Sequence, residues 1–172
     1  MKTYEGSHTF PHTWQQIATA FWKRYPNKYS RHVLSEDIID RKIDNTGQLV
    51  TKRLFVKTNS CPKWIERLMR SKNVHILEES VVDPLRQTLT TITRNLGMTN
   101  LMSVRETCIY KPHPENKFWT IVERKTSFES KLGGIKRLAV LTFGHERYKY
   151  NIRRTDSGFQ QVIQALHTTD KQ

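Results

Sequence analysis

Near Tyr4–Phe10 apolar and polar residues alternate, as they do in a half-buried strand. From about His12 to Tyr25 the period lengthens. Trp14, Ile17, Phe21 and Tyr25 recur at helical spacing, and Pro26 stops the run. From Val33 the alternation returns. VLSEDIIDRKI, the turn DNTG and QLVTKRLFVKT read as a hairpin. NVHILEESVVDP, RQTLTTITRNLG, LMSVRETCIYKPHP and KFWTIVERKTSFES follow as further strands, each bounded by Pro, Gly or Asn. CPKWIERLM interrupts them with helix-like spacing, and a long helical pattern runs from Gly133-Gly134 to about His167. This order predicts an α+β fold: a curved antiparallel sheet with its helices on one side, able to grip the long C-terminal helix around an apolar cavity. With no internal repeat or linker, residues 1–172 read as a single domain.

Several charges sit uneasily in this pattern. Arg24 lies only about 20° from Ile17 and about 60° from Phe21 on the first helix, on or beside its apolar stripe. Such a residue either snorkels from the helix end or carries its charge to a partner. At a helix end, reversal of that charge is expected to leave the fold largely intact. In QLVTKRLFVKT, Leu49, Thr51, Arg53, Phe55 and Lys57 share one face and Val50, Lys52, Leu54 and Val56 the other. If the first face is interior, Arg53 needs an acidic neighbour or a bound anion; otherwise Arg53 and Lys57 mark a solvated face. The long helix carries an apolar stripe of Leu141, Tyr148, Ile152, Phe159, Ile163 and Leu166. About 120° from it, Arg147, Asn151 and Arg154 stack at i, i+4 and i+7. Their donors suit a phosphate, or simply a wet helix face. CPKWIERLM is a small amphipathic patch, either a lid touching a membrane or a helix packed on the core.

Composition sharpens this picture. The chain is 36% hydrophobic and 26% charged, enough for one genuine core. No apolar run is long enough to cross a bilayer, and the N-terminus lacks the features of a secretory signal or a mitochondrial presequence. The net charge of +13 calls for an anionic partner: nucleic acid, an acidic membrane or a phosphate-bearing ligand. Cys61 and Cys108 lack a CxxC arrangement and read as free thiols. The scattered histidines show no metal-ligand spacing, so no metal or other cofactor is expected. Phosphate-loop, dinucleotide and nucleophile-elbow motifs are absent. Glu78 and Glu79, adjacent on a strand, face opposite ways and make a poor carboxylate pair, while His32 near Ser30 and Asp37 is too weak a constellation for a triad. An enzyme is not supported. A nucleic-acid module fits the charge, but no aromatic RNA-binding motif or recognition helix accompanies it.

The segment RYPNKYSRHVL, followed by EDIIDRKI, TKRLF, the Pro-Lys-Trp loop, SVVDP and TRNL, resembles the PRELI-like family over about Met1 to Leu166. The resemblance implies a lipid-transfer protein of the mitochondrial intermembrane space. Such a protein carries glycerophospholipid between outer and inner membranes on a START-like, phosphatidylinositol-transfer-like fold of about seven strands and a long helix. It also implies peripheral contact with anionic membranes and a small helical-hairpin partner with twin cysteine pairs, nucleic acid being no partner. RYPN-x-YS and HVL resemble the branch that carries phosphatidic acid, with Lys28 standing where that branch usually has proline. The family's pocket residues fall on Arg24, His32, Arg53, Lys57, Arg147, Asn151 and Arg154, and its mobile lid on Pro62, Lys63, Trp64, Ile65, Leu68 and Met69. A lipid phosphate would then balance Arg24. The alternative within the same fold is an adaptor that binds the hairpin partner without moving lipid.

Overall fold

The computed structural model describes residues 1–69 and 71–169; Arg70 and residues 170–172, which the single-domain span includes, lie outside the described residues. The elements run β1 (Lys2–Phe10), α1 (Trp14–Phe21), β2 (Val33–Ile43), β3 (Leu49–Thr58), α2 (Lys63–Glu66), β4 (Asn73–Asp83), β5 (Thr88–Asn95), β6 (Ser103–Pro112), β7 (Thr120–Glu129) and α3 (Gly134–Thr169). Strands β2 to β7 form an antiparallel meander, and β1 returns to pair with β7, giving the order β1-β7-β6-β5-β4-β3-β2. Helices α1 and α3 pack against each other and against the sheet.

Local chemistry sets the boundaries. Thr13 caps α1 reciprocally with Gln16: the Gln16 amide donates to Thr13 Oγ1 at 3.4 Å, and the Thr13 amide donates to Gln16 Oε1 at 2.9 Å. The helix ends at Phe21, four residues before the expected Tyr25. The chain tightens there, with the Lys23 amide on the Ala20 carbonyl, and Pro26 biases the residue before it away from helix. Asn27 then holds the turn: its amide group donates to the Arg24 carbonyl at 2.7 Å, and its Oδ1 accepts from the Tyr29 amide at 2.9 Å. In the β2–β3 hairpin, Asp44 Oδ1 accepts from the Thr46 and Gln48 amides, and Gly47 supplies φ +81°.

The core joins Phe10, Trp14, Ile17 and Phe21 to Leu89, Tyr110 and Val122 of the sheet and to Phe159 and Ile163 of α3. On α3, Leu141, Phe159 and Ile163 of the expected stripe are buried, and Tyr148, Ile152 and Leu166 are half-buried. The same side also buries Asp156, whose carboxylate accepts from the Arg124 guanidinium of β7. This pair was not visible in the periodicity, because a charged residue on a buried face reads as a break in the stripe. Cys61 and Cys108 are free thiols.

Candidate functional site

A cavity of about 280 Å³ lies between the ends of β3–β6, α2, the 96–102 loop and the first half of α3. Its body is apolar, walled by Ile65, Met69, Val74, Ile76, Leu101, Met102, Val104, Val140 and Phe143. At its mouth stand His32, Lys57, Arg147 and Asn151, and no carboxylate lines it among the described residues. Each of these four is placed by an element the sequence predicts. Lys57 shares the inner face of β3 with Thr51, Arg53 and Phe55, three residues that are buried. His32 is tied to the end of that strand, its carbonyl accepting from the Thr58 amide at 2.8 Å. Arg147 and Asn151 stand one turn apart on α3. Arg154, a turn further, does not line the cavity but is near enough to act on His32. Burial first, then the charges of Lys57, Arg147 and Arg154, hold the His32 imidazole below its ordinary 6.5. A cluster that resists a further positive charge is one in which an anion is favoured.

The lid segment divides. Only Lys63–Glu66 forms a helical turn. Ile65 and Met69 face the cavity, and Ile65 is buried. Trp64 and Leu68 are 43% and 42% exposed, with Trp64 edge-on to Phe143 at 6.5 Å between centroids. Pro62 and Lys63 supply the carbonyls that close the turn, accepting from the Ile65 and Arg67 amides at 2.9 and 3.1 Å. One side of CPKWIERLM thus packs on the cavity, and the other projects. At the base of the lid the Ser60 carbonyl accepts from the Arg147 guanidinium, so this arginine links the mouth to the segment above it.

Arg24 and Arg53 stand behind the rim rather than on it, which corrects the expectation that a lipid phosphate balances Arg24. The Glu78 carboxylate accepts from both guanidiniums, with Arg53 Nε 2.9 Å from Oε1, and Arg53 also donates to Glu36. Arg53 and Glu78 are each 1% exposed. Burial pushes the Glu78 carboxyl up, but Arg24 and Arg53 together more than reverse this and keep it ionised. Aromatic faces complete the enclosure, with the Arg24 and Arg53 guanidiniums 4.4 and 4.7 Å from the Phe21 ring centroid. Sequence reasoning missed Glu78 as the partner, although its signal was present. Strand alternation puts Glu78 inward and Glu79 outward, and the β3–β4 register sets Glu78 opposite Arg53. Lys57 stands near the Tyr25 and Phe55 rings, 5.8 and 5.7 Å from their centroids.

The model of the PRELI-like family matches residues 15–169. The chain belongs to the PRELI-like family. It is 41% identical to the bovine (Bos taurus) PRELI domain-containing protein 1, mitochondrial, over 96% of this chain and 77% of that protein. Two proteins of Saccharomyces cerevisiae are also similar. UPS1, mitochondrial, is 36% identical over 95% of this chain and 93% of its own length, and UPS2, mitochondrial, is 34% identical over 96% and 74%. Among solved structures, TTHA0849 from Thermus thermophilus superposes with a TM-score of 0.63 over 96% of this chain and 99% of that one, at 14% identity. The Zhui aromatase/cyclase from Streptomyces gives 0.61 over 95% and 93%, at 9% identity. These likenesses are of fold alone and place this PRELI-like chain among START-like folds, a sheet wrapped on a long helix.

Proposed function

We propose that this chain is a non-enzymatic phospholipid carrier of mitochondria, that it works in the intermembrane space, and that its cargo is phosphatidic acid. The observation that carries this reading is the cavity itself: an apolar body ending in His32, Lys57, Arg147 and Asn151, with no carboxylate lining it among the described residues. Acyl chains suit the body. A phosphomonoester headgroup, with a charge of about −1.5 to −2 at neutral pH, suits the rim. The small head leaves the rim's donors facing phosphate rather than a bulky substituent. Arg24 and Arg53 serve as scaffold, their charges met by Glu78 and Glu36. Net charge of +13 favours peripheral docking on anionic membranes. The small twin-cysteine helical-hairpin partner is proposed on the family resemblance, and the exposure of Ile38, Ile39 and Ile43 along the edge strand β2 supports a chain that works with a partner.

Transfer between vesicles tests the reading. Phosphatidic acid is expected to move well faster than phosphatidylcholine, and Lys57→Ala combined with Arg147→Ala is expected to remove that preference. Equal rates for the two lipids in the unmodified chain would overturn the assignment of cargo. Binding of the hairpin partner without transfer of any lipid would support the adaptor instead.

A further inference from the structure

Three of the chain's four methionines, Met69, Met98 and Met102, wall the cavity. Opposite Met102, on the buried side of α3, stands Gly144, between cavity-lining Val140 and Arg147. A Cβ at Gly144 would lie 2.3 Å from Met102 Sδ and 2.9 Å from its Cε, inside any real contact distance, with Phe128 Cδ1 at 3.8 Å on a further side. The thioether of Met102 is therefore seated in the notch left by the missing side chain. Its backbone has little freedom to retreat: the Met102 amide donates to the Met98 carbonyl at 2.9 Å, and the Met102 carbonyl accepts from Asn95 Nδ2 at 2.9 Å. Asn95 Oδ1 in turn accepts from the Val104 amide at 2.8 Å, which anchors the start of β6. A methyl group at position 144 would thus move the side chain of Met102, and the free direction is the cavity.

We propose that Gly144 sets the depth of the cavity by giving Met102 a seat in the helix, and that the three methionines form an adaptable wall that admits long, kinked acyl chains. This rests on the reading of the chain as a phospholipid carrier. The physical case is that an unbranched thioether side chain re-packs at low cost, so one wall fits chains of different length and bend. A β-branched wall at the same positions would hold one shape. The specificity for the tail would then reside in Gly144 and Met102, and that for the head in the cationic rim.

The test uses the full chain and vesicles of phosphatidylcholine carrying equal amounts of dioleoyl and dilauroyl phosphatidic acid, with mass spectrometry of the lipid extracted by the protein. Gly144→Ala is expected to lower the ratio of dioleoyl to dilauroyl lipid about tenfold, the change expected if about two methylenes lose their place. Alanine favours helix over glycine, so the variant is expected to fold, which circular dichroism verifies. Gly144→Ala with Met102→Ala is expected to restore the ratio, since the obstructing thioether is gone. An unchanged ratio in Gly144→Ala, or a lowered ratio that Met102→Ala does not restore, overturns the proposal while the carrier reading stands. Extraction of neither lipid by the unmodified chain overturns the carrier reading and this proposal with it.

Discussion

Glu78 holds two buried guanidiniums, and removing one member of such a set leaves an uncompensated charge in a dry site. Glu78→Gln is expected to cost about 3–5 kcal/mol and to lower Tm by roughly 10 °C. The neighbouring Glu79→Gln breaks only an exposed pair with Lys52 at 3.2 Å, and is expected to cost less than about 1 kcal/mol. Thermal melts of the two variants check the contrast. For the same reason Arg24→Glu sets a second carboxylate against Glu78, so it is expected to disrupt folding rather than spare it, as its place at a helix end suggests from sequence. His32 carries the pH prediction. Its pKa lies below 6.5, so the folded chain takes up fewer protons than the unfolded one, and stability falls as pH drops through that window. A bound anion opposes Lys57 and Arg147 and raises the His32 pKa, so lipid binding takes up a proton. Affinity for an anionic phospholipid is therefore expected to rise as pH falls from 8 toward about 7, and the rise is opposed nearer pH 6, where a phosphomonoester has lost about half of its second charge. His32→Gln is expected to flatten that slope in a vesicle-extraction assay.

At the scale of elements, the lid is a short turn with two kinds of apolar residue. Ile65 is buried against the cavity, whereas Trp64 and Leu68 project beside Lys63 and Arg67. An exposed tryptophan amid basic residues suits the headgroup layer of a bilayer. Trp64→Ala with Leu68→Ala is expected to slow lipid uptake about tenfold while Tm falls only slightly, because two half-exposed anchors are lost and little packing beyond the Trp64–Phe143 contact goes with them. Stopped-flow uptake beside a thermal melt separates this from a merely destabilised lid. Normal uptake by the folded double variant would leave the projecting side without a role in loading. Ile65→Ala instead empties a packed position and is expected to loosen the lid locally.

The whole molecule carries an excess of 13 positive charges spread over its surface, while its buried arginines are met by carboxylates. On the proposed reading, membrane attraction and headgroup choice are thus separate. Surface attraction is screened over about 10 Å at 0.1 M salt and about 3 Å at 1 M, whereas charges at a partly enclosed mouth are screened less. Raising salt is expected to weaken binding to anionic vesicles steeply while preserving the preference for phosphatidic acid over phosphatidylcholine. Sedimentation with vesicles and competitive extraction, run across one salt series, measure the two effects together.

Periods and turn residues are local, so the chain by itself determined the element order, the hairpin at Asp44–Gly47 and the long α3. RYPN, HVL and SVVDP likewise carried the family and, through it, an expected set of seven pocket residues, of which His32, Lys57, Arg147 and Asn151 line one cavity and Arg24, Arg53 and Arg154 do not. Partners far apart in sequence were decided by the tertiary structure. Arg24 meets Glu78 across 54 residues and Arg124 meets Asp156 across 32, and only sheet register and the seating of α3 bring them together. From spacing alone, a basic residue aimed inward asks equally for a carboxylate or a phosphate, because both are anions that accept paired hydrogen bonds from a guanidinium. The fold answers differently for different arginines: a carboxylate for Arg24 and Arg53, and, among the described residues, none lining the cavity with Arg147. Gly144 shows the same limit. A glycine within a helix reads as a weak point until the opposing Met102 shows that the space it leaves is occupied.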